Sequence, residues 1–313
     1  MASATFAGAG WIPVETNPDV IQAVKASSAV DNLGHHVKMG SQTKWTPRSG
    51  GLHLSKWAKG AGAPADATGN DSVLLNADKI GGKVAIDDED KQDSLASIVD
   101  AKAVDAGTSY ARLFDNVSLG ITAAKATSGW GFDSLYWLLT QSETTTGYTA
   151  NSNLTLAGTG GITYDVLSDA LSLYENGKFF DPTKTVVIAD NSFMGVLRKI
   201  KSNTGEPIFN ESSSGDAGGG QGGTLRLFGH TLQLTMGAKT SAAGSDSPTG
   251  NPFIVFGNRD FLQVGDRFPL AVNYQDAESG IGVDSDQDVL YFKARKAFAV
   301  GAPGAFSMLV KNV

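Results

Sequence analysis

Leu95, Ile98, Val99, Ala103, Ala106, Tyr110, Leu113, Phe114 and Val117 recur at steps of three and four residues, the spacing that lines one face of an α-helix. An acidic run, DDEDKQDS, precedes them, as suits the positive end of a helix dipole. Ser94 is placed to cap the first turn, and Gly120 to end the last. At 1.5 Å per residue the segment predicts a spine of roughly 35 Å, buried along one face. Leu95, Ile98, Val99, Leu113 and Phe114 are its expected core residues.

The chain ahead of the spine is irregular. Residues 51–70 read GLHLSKWAKGAGAPADATGN, with Leu52, Leu54 and Trp57 followed by turn-forming residues. A structureless loop of about 20 residues is unusual inside a compact domain unless it is functional or disordered. Strand-forming residues flank it, so residues 35–86 are expected to form a long two-stranded excursion with a glycine-rich tip. Before that, DVIQAVKASSAV places Val20, Ile21 and Val24 at near-helical spacing, a short docked helix within an arm spanning 1–34.

Beyond the spine, helices and strands alternate without a repeating βα unit, which gives an α+β class. ITYDVLSDALSLYENG predicts an amphipathic helix closed by Gly177, TVVIA a buried strand, and NSFMGVLRKI a helix. Two strands around Phe228-Gly229 come next. Further strands follow at FIVFG, 260–275, DVLYFKAR, AFAVG and AFSMLV, with glycine-rich loops at 213–223 and 241–251.

Composition limits the functions open to such a fold. The 313 residues suit two domains, or one large one, at roughly 150 residues per domain. The net charge of −7 argues against a protein whose task is to grip nucleic acid. There is no cysteine, so disulfides, thiol nucleophiles and thiolate metal sites are excluded. The opening MASATFAGAGWIPVE lacks the basic start and apolar run of a signal peptide, and no apolar run is long enough to span a membrane. A soluble protein made in a cytoplasm is expected.

No catalytic constellation emerges. GGGQGG at 218–223 has dinucleotide-loop spacing but not the strand before and helix after that such a site needs. Asp284, Asp286 and Asp288 imitate the start of a calcium loop, yet Val289 replaces its glycine and Arg295 its last ligand; a solvated acidic turn fits better. His35 and His36 are strand neighbours that point to opposite faces and do not chelate one ion as a pair. His53 falls in the loop tip and His230 in a turn. The acids Asp87, Asp88, Glu89 and Asp90 are explained by their place at a helix start. No catalytic, cofactor or metal residue is expected.

The order of these segments resembles the major capsid protein of tailed bacteriophages, the HK97-like fold, over nearly the whole chain. WIPVETNPDVIQAVKASSAV looks like that family's N-terminal arm, and the excursion at 35–86 like its E-loop with flanking strands. The segment 87–125 resembles the P-domain spine helix. The segment 126–275 resembles the A-domain, with P-domain strands crossing it, and carries TVVIADNSFMGVLRKIKSNTGEPIF and LFGHTLQLT. The ending VLYFKARKAFAVGAPGAFSMLV, within 276–313, resembles the returning P-domain strands.

The resemblance implies a structural protein, not an enzyme. It would assemble with itself as hexamers and pentamers into an icosahedral head, in the host cytoplasm, enclosing double-stranded DNA without sequence-specific binding and without a membrane. A portal and decoration proteins are implied partners. Met1 lies about ten residues before the arm, leaving no room for the N-terminal scaffold domain of some members, so a separate scaffolding protein, or none, is implied. In this family the E-loop lies across a neighbouring subunit, so Leu52, Leu54, Lys56, Trp57 and Lys59 are expected at an intersubunit contact. One branch crosslinks Lys to Asn with the help of a Glu. Ungapped alignment puts Asp286 at the Asn and Lys293 at the Glu, so no crosslink is expected. An encapsulin-type nanocompartment shell is the alternative on the same fold, though WIPVETNP reads as an extended arm. A hydrolase is the rival of another class, and no nucleophile–base pair supports it.

Overall fold

The computed structural model describes residues 27–52, 54–63, 65, 69–93, 98–158, 161–201, 226–275 and 286–312. The predicted arm helix around Val20, the 213–223 loop, His53 and Leu95 lie outside them. Elements are labelled in chain order.

The long strands build a four-stranded sheet. Its edge strand β1 (His35–Lys38) runs parallel to β10 (Leu262–Gln275). β10 pairs antiparallel with β11 (Gln287–Val300), which pairs antiparallel with β4 (Asp78–Asp87). DVLYFKAR and AFAVG, expected as two strands, form this single β11. β10 absorbs the irregularity instead, with register shifts either side of Phe268.

α3 (Ile98–Leu119) is the expected spine, about 33 Å long. Ile98, Val99, Ala103 and Ala106 pack on Ile86, Leu290 and Phe292 of the sheet. The acidic run forms its own short helix, α2 (Asp88–Asp93), directly after β4. Nearer its C-terminus the spine is enclosed: Phe114, Val117 and Leu119 are buried with Phe132, Phe253, Phe298 and Phe306 in the main core.

A six-stranded mixed sheet carries the second half. Its order is β5 (Leu154–Ala157), β12 (Phe306–Lys311), β9 (Phe253–Asn258), β6 (Thr185–Asp190), β8 (His230–Thr235) and β7 (Arg226–Leu227). β6 and β9 are buried throughout, as their continuous apolar runs require. A Cβ on Gly257 of β9 would come within 2.1 Å of the Phe306 ring, so only glycine fits that crossing. α6 (Tyr164–Glu175), capped by Thr163, and α7 (Phe193–Lys199) cover one side through Leu167, Tyr174, Phe193 and Leu197. Phe228 and Gly229 both have positive φ, 51° and 80°, and make the two-residue hairpin turn expected between β7 and β8. His230 is the first residue of β8, not part of that turn.

The excursion is shorter than 35–86. Only β2 (Thr43–Ser49) and β3 (Asn70–Asn76) pair as the projecting hairpin. β1 and β4 belong to the four-stranded sheet, because their apolar residues find partners there. Among the described residues no helix is long and apolar enough to cross a membrane.

Candidate assembly surfaces

The root of the β2–β3 hairpin is fixed by one arginine. Arg48 Nε donates to Asp71 Oδ1 at 2.7 Å, Nη1 to the Gly301 carbonyl at 2.9 Å, and Nη2 to Glu143 Oε1 at 2.9 Å. These join both hairpin strands to the body of the subunit. Thr145 Oγ1 donates to Asp71 at 3.0 Å, and Glu143 accepts from the backbone N–H groups of Thr145 and Thr146. The hydrogen bond from Arg48 holds the Asp71 carboxyl below its ordinary range. Burial opposes the charge on Glu143, but the bonds from Thr146, Thr145 and Arg48 outweigh it and also hold that carboxyl low.

The tip is the opposite case. Leu52, Leu54 and Trp57 are 70%, 89% and 63% exposed, and Lys56 and Lys59 are exposed beside them. Trp57 Nε1 donates to the Ala61 carbonyl at 2.8 Å, a contact within the loop itself. All five residues named from the sequence therefore stand at the surface. Covering a side chain such as Leu gains about 1.5–3 kcal/mol, so the subunit alone leaves a sizeable apolar driving force unused.

The spine residues divide by depth. Phe114 is fully buried and stacks on Tyr110 at 6.0 Å, whereas Leu113, Ile98 and Val99 are half-buried. Beside Phe114, the buried Asp115 ties three segments together. Its carboxylate accepts from Ser28 Oγ at 2.6 Å, from the N–H groups of Ala29 and Val30, and from Thr235 Oγ1 at 2.6 Å. Ser28 Oγ in turn accepts from Asp31 N and caps α1 (Ala29–Leu33). Burial pushes the Asp115 carboxyl up, against the pull of these four donors. Asn116 donates to the carbonyls of Gly237 and Lys239 and accepts from Ser245 N. Sequence reading missed Asp115 and Asn116; two adjacent polar residues on the apolar side of a helix were the available signal.

A second network follows α1. His36 Nδ1 lies 2.6 Å from Asp266 Oδ2, and Nε2 lies 2.6 Å from the Asp31 carbonyl. Lys296 Nζ donates to Asp31 at 2.8 Å and to Asp266 at 2.5 Å. Asp31, His36 and Asp266 have ligand atoms close enough to hold an ion. The Lys296 ammonium already sits between both carboxylates, so the group is chemically an ion-pair network. His35, the neighbouring residue, is not among these groups.

Asp286 and Lys293 lie on the same strand region but are not brought together. Asp286 has φ 51° at the turn into β11. Lys293 lies opposite Gly81 and Ala271, its Nζ 5.7 Å from the Phe268 ring. Seven residues of strand separate the two by about 23 Å. Asp288 is fully buried and accepts from Tyr274 Oη, so the acidic turn is not wholly solvated. The alternation of β11 turns this carboxylate inward.

A family model described as the phage capsid family matches residues 8–310. Solved structures share the fold. One, from Mycobacterium phage Bobi, has a TM-score of 0.72 at 16% identity, covering 98% of this chain and 97% of that one. A second, from Microbacterium phage Oxtober96, has a TM-score of 0.69 at 18% identity, covering 97% and 98%. A third, described as the capsid of a native GTA particle, has a TM-score of 0.69 at 16% identity, covering 100% and 99%. No curated protein matches the sequence.

Proposed function

The chain belongs to the phage capsid family, and we propose that its copies join as hexamers and pentamers through the extended loop of one subunit lying across the next. The protein is a major capsid protein, a structural component of the virion shell; the encapsulin alternative is not favoured. The proposed product is an icosahedral head enclosing double-stranded DNA, assembled in the host cytoplasm with a portal, with decoration proteins, and with a separate scaffolding protein or none. No catalytic role is proposed for any residue.

One observation carries the loop reading. Leu52, Leu54 and Trp57 are exposed on a hairpin whose root is held by Arg48. An aromatic anchor beside flexible glycines, presented on a fixed stalk, suits a surface completed by a partner. The net charge of −7 supports an interior that does not hold packaged DNA tightly. Expression with the neighbouring head genes, followed by size exclusion and negative-stain imaging, tests the proposal. Rings or closed shells are expected; a strictly monomeric protein overturns it.

A further inference from the structure

The sheet face turned away from the spine gathers positive charge on an acidic chain. A cleft of about 590 Å³ is lined there by Lys79, Lys83 and Lys293, with Tyr291 and Asn273 among its polar walls. Across the β4–β11 ladder Lys79 stands directly opposite Arg295, a like-charge pairing that costs free energy when no anion compensates it. None of these four cations forms an ion pair with a described residue. The contact of Lys293 with the Phe268 ring supplies no counter-charge.

The complementary charge lies on the same molecule, out of reach. Glu89 and Asp90 are exposed in the first turn of α2 and form no ion pair among the described residues. On the lysine face of β4 the next carboxylate, Asp87, lies four residues from Lys83, about 13 Å along the strand. It accepts from Gln287 Nε2 at 2.6 Å. One strand thus carries a cationic cleft in its middle and an anionic turn at its end. Copies packed head to tail bring the two into contact.

We propose that the Lys83–Lys293 cleft receives the acidic first turn of α2, Glu89 and Asp90, from a second copy of this chain. The inference rests on the self-assembly reading and adds a contact distinct from the Trp57 loop. Interface charges of this kind select the partner and its register more than they add affinity.

The test is a charge swap under the assembly conditions above. Lys83→Glu with Lys293→Glu, and separately Glu89→Lys with Asp90→Lys, should each yield folded subunits by circular dichroism and thermal melting, but few or no shells. Combining all four substitutions should restore shells. The neutral pair Lys83→Gln with Lys293→Gln guards against misfolding and should also lower the yield. Wild-type yields from the lysine variants would overturn the inference, as would a four-fold variant that stays unassembled. Normal shells that package less DNA would overturn it in favour of nucleic acid as the occupant. Wild-type protein that forms no shells sinks the assembly reading and this inference together; wild-type shells beside unaffected variants sink this inference alone.

Discussion

Arg48 and Glu143 are 95 positions apart, and the guanidinium donates to Glu143 Oε1 at 2.9 Å. With Asp71 and the Gly301 carbonyl, the same side chain draws on both hairpin strands and the subunit body. The loop is therefore rigid where it leaves the subunit and exposed where it ends. Its root depends on two carboxylates held low in pKa, so this contribution is present above their ordinary values and is lost as pH falls through the folded ones.

Replacing residues 52–62 with a short Gly-Ser linker should leave the subunit folded, because Leu52, Leu54 and Trp57 contribute nothing to its own core. Its melting temperature should hardly move. Assembly should fail or give aberrant particles, since a buried interface aromatic is often worth more than about 2 kcal/mol. Shells of normal size and yield from the truncated protein would refute the interface role.

Phe114→Ala should destabilise the unassembled subunit by about 3–5 kcal/mol, because the ring is enclosed on all sides and leaves a cavity. Leu113→Ala should cost less than about 2 kcal/mol, since the side chain is half-buried and part of its surface already meets water. Urea melts of both variants would check the order. Equal losses would mean that the spine is rotated from the phase described.

His36 should give the subunit a stability that fades on alkaline titration. Burial opposes its charge, but hydrogen bonds to Asp266 and the Asp31 carbonyl raise its pKa above 6.5. Both of these partners accept, so only the imidazolium donates to both. The groups facing it are Asp31 of α1, Asp266 of β10 and Lys296 of β11, with Tyr110 of the spine nearby. A raised pKa means that the contribution is complete below pH 6.5 and is lost as pH climbs through the folded value. The melting-temperature gap between wild type and His36→Gln should shrink accordingly. A gap that stays constant through that range would contradict the imidazolium.

The elements legible in the sequence were those with a local period. The spine and α6 stand where their apolar spacing put them, because each buries a face that the spacing defines, and β6 stands where its continuous apolar run put it, buried along its whole length. The exposed loop tip was equally legible, from three apolar residues stranded among turn formers. Sheet membership was not. β1 and β4 flank the hairpin in sequence, yet their partners β10 and β11 lie some 200 residues onward, and nothing local encodes that pairing. The same limit hid Asp115, whose partners Ser28 and Thr235 are 87 and 120 positions away. It also hid His36, which reads as half of an adjacent pair until Asp266 is placed beside it.

The mature shell should hold together without covalent crosslinks. Isopeptide formation needs a neutral lysine attacking a side-chain amide, with a placed base to take the proton. Asp286 offers a carboxylate where an amide is required; its charge repels a nucleophile and it has no ammonia to release. Lys293 offers an ammonium where a base is required, and an ammonium nitrogen has no lone pair with which to take a proton. Its described neighbours across the sheet in the same chain, Gly81, Ala271 and the Phe268 ring, carry no basic group that would take over. Cohesion would then fall to the proposed contacts of the loop and the arm, to the charge contacts proposed between copies, or to added decoration proteins. Boiled mature particles should run on a denaturing gel as one band near 32.6 kDa. A ladder of multiples, with mass spectrometry locating a bond at Lys56 or Lys59, would show that another amide and another base do this work.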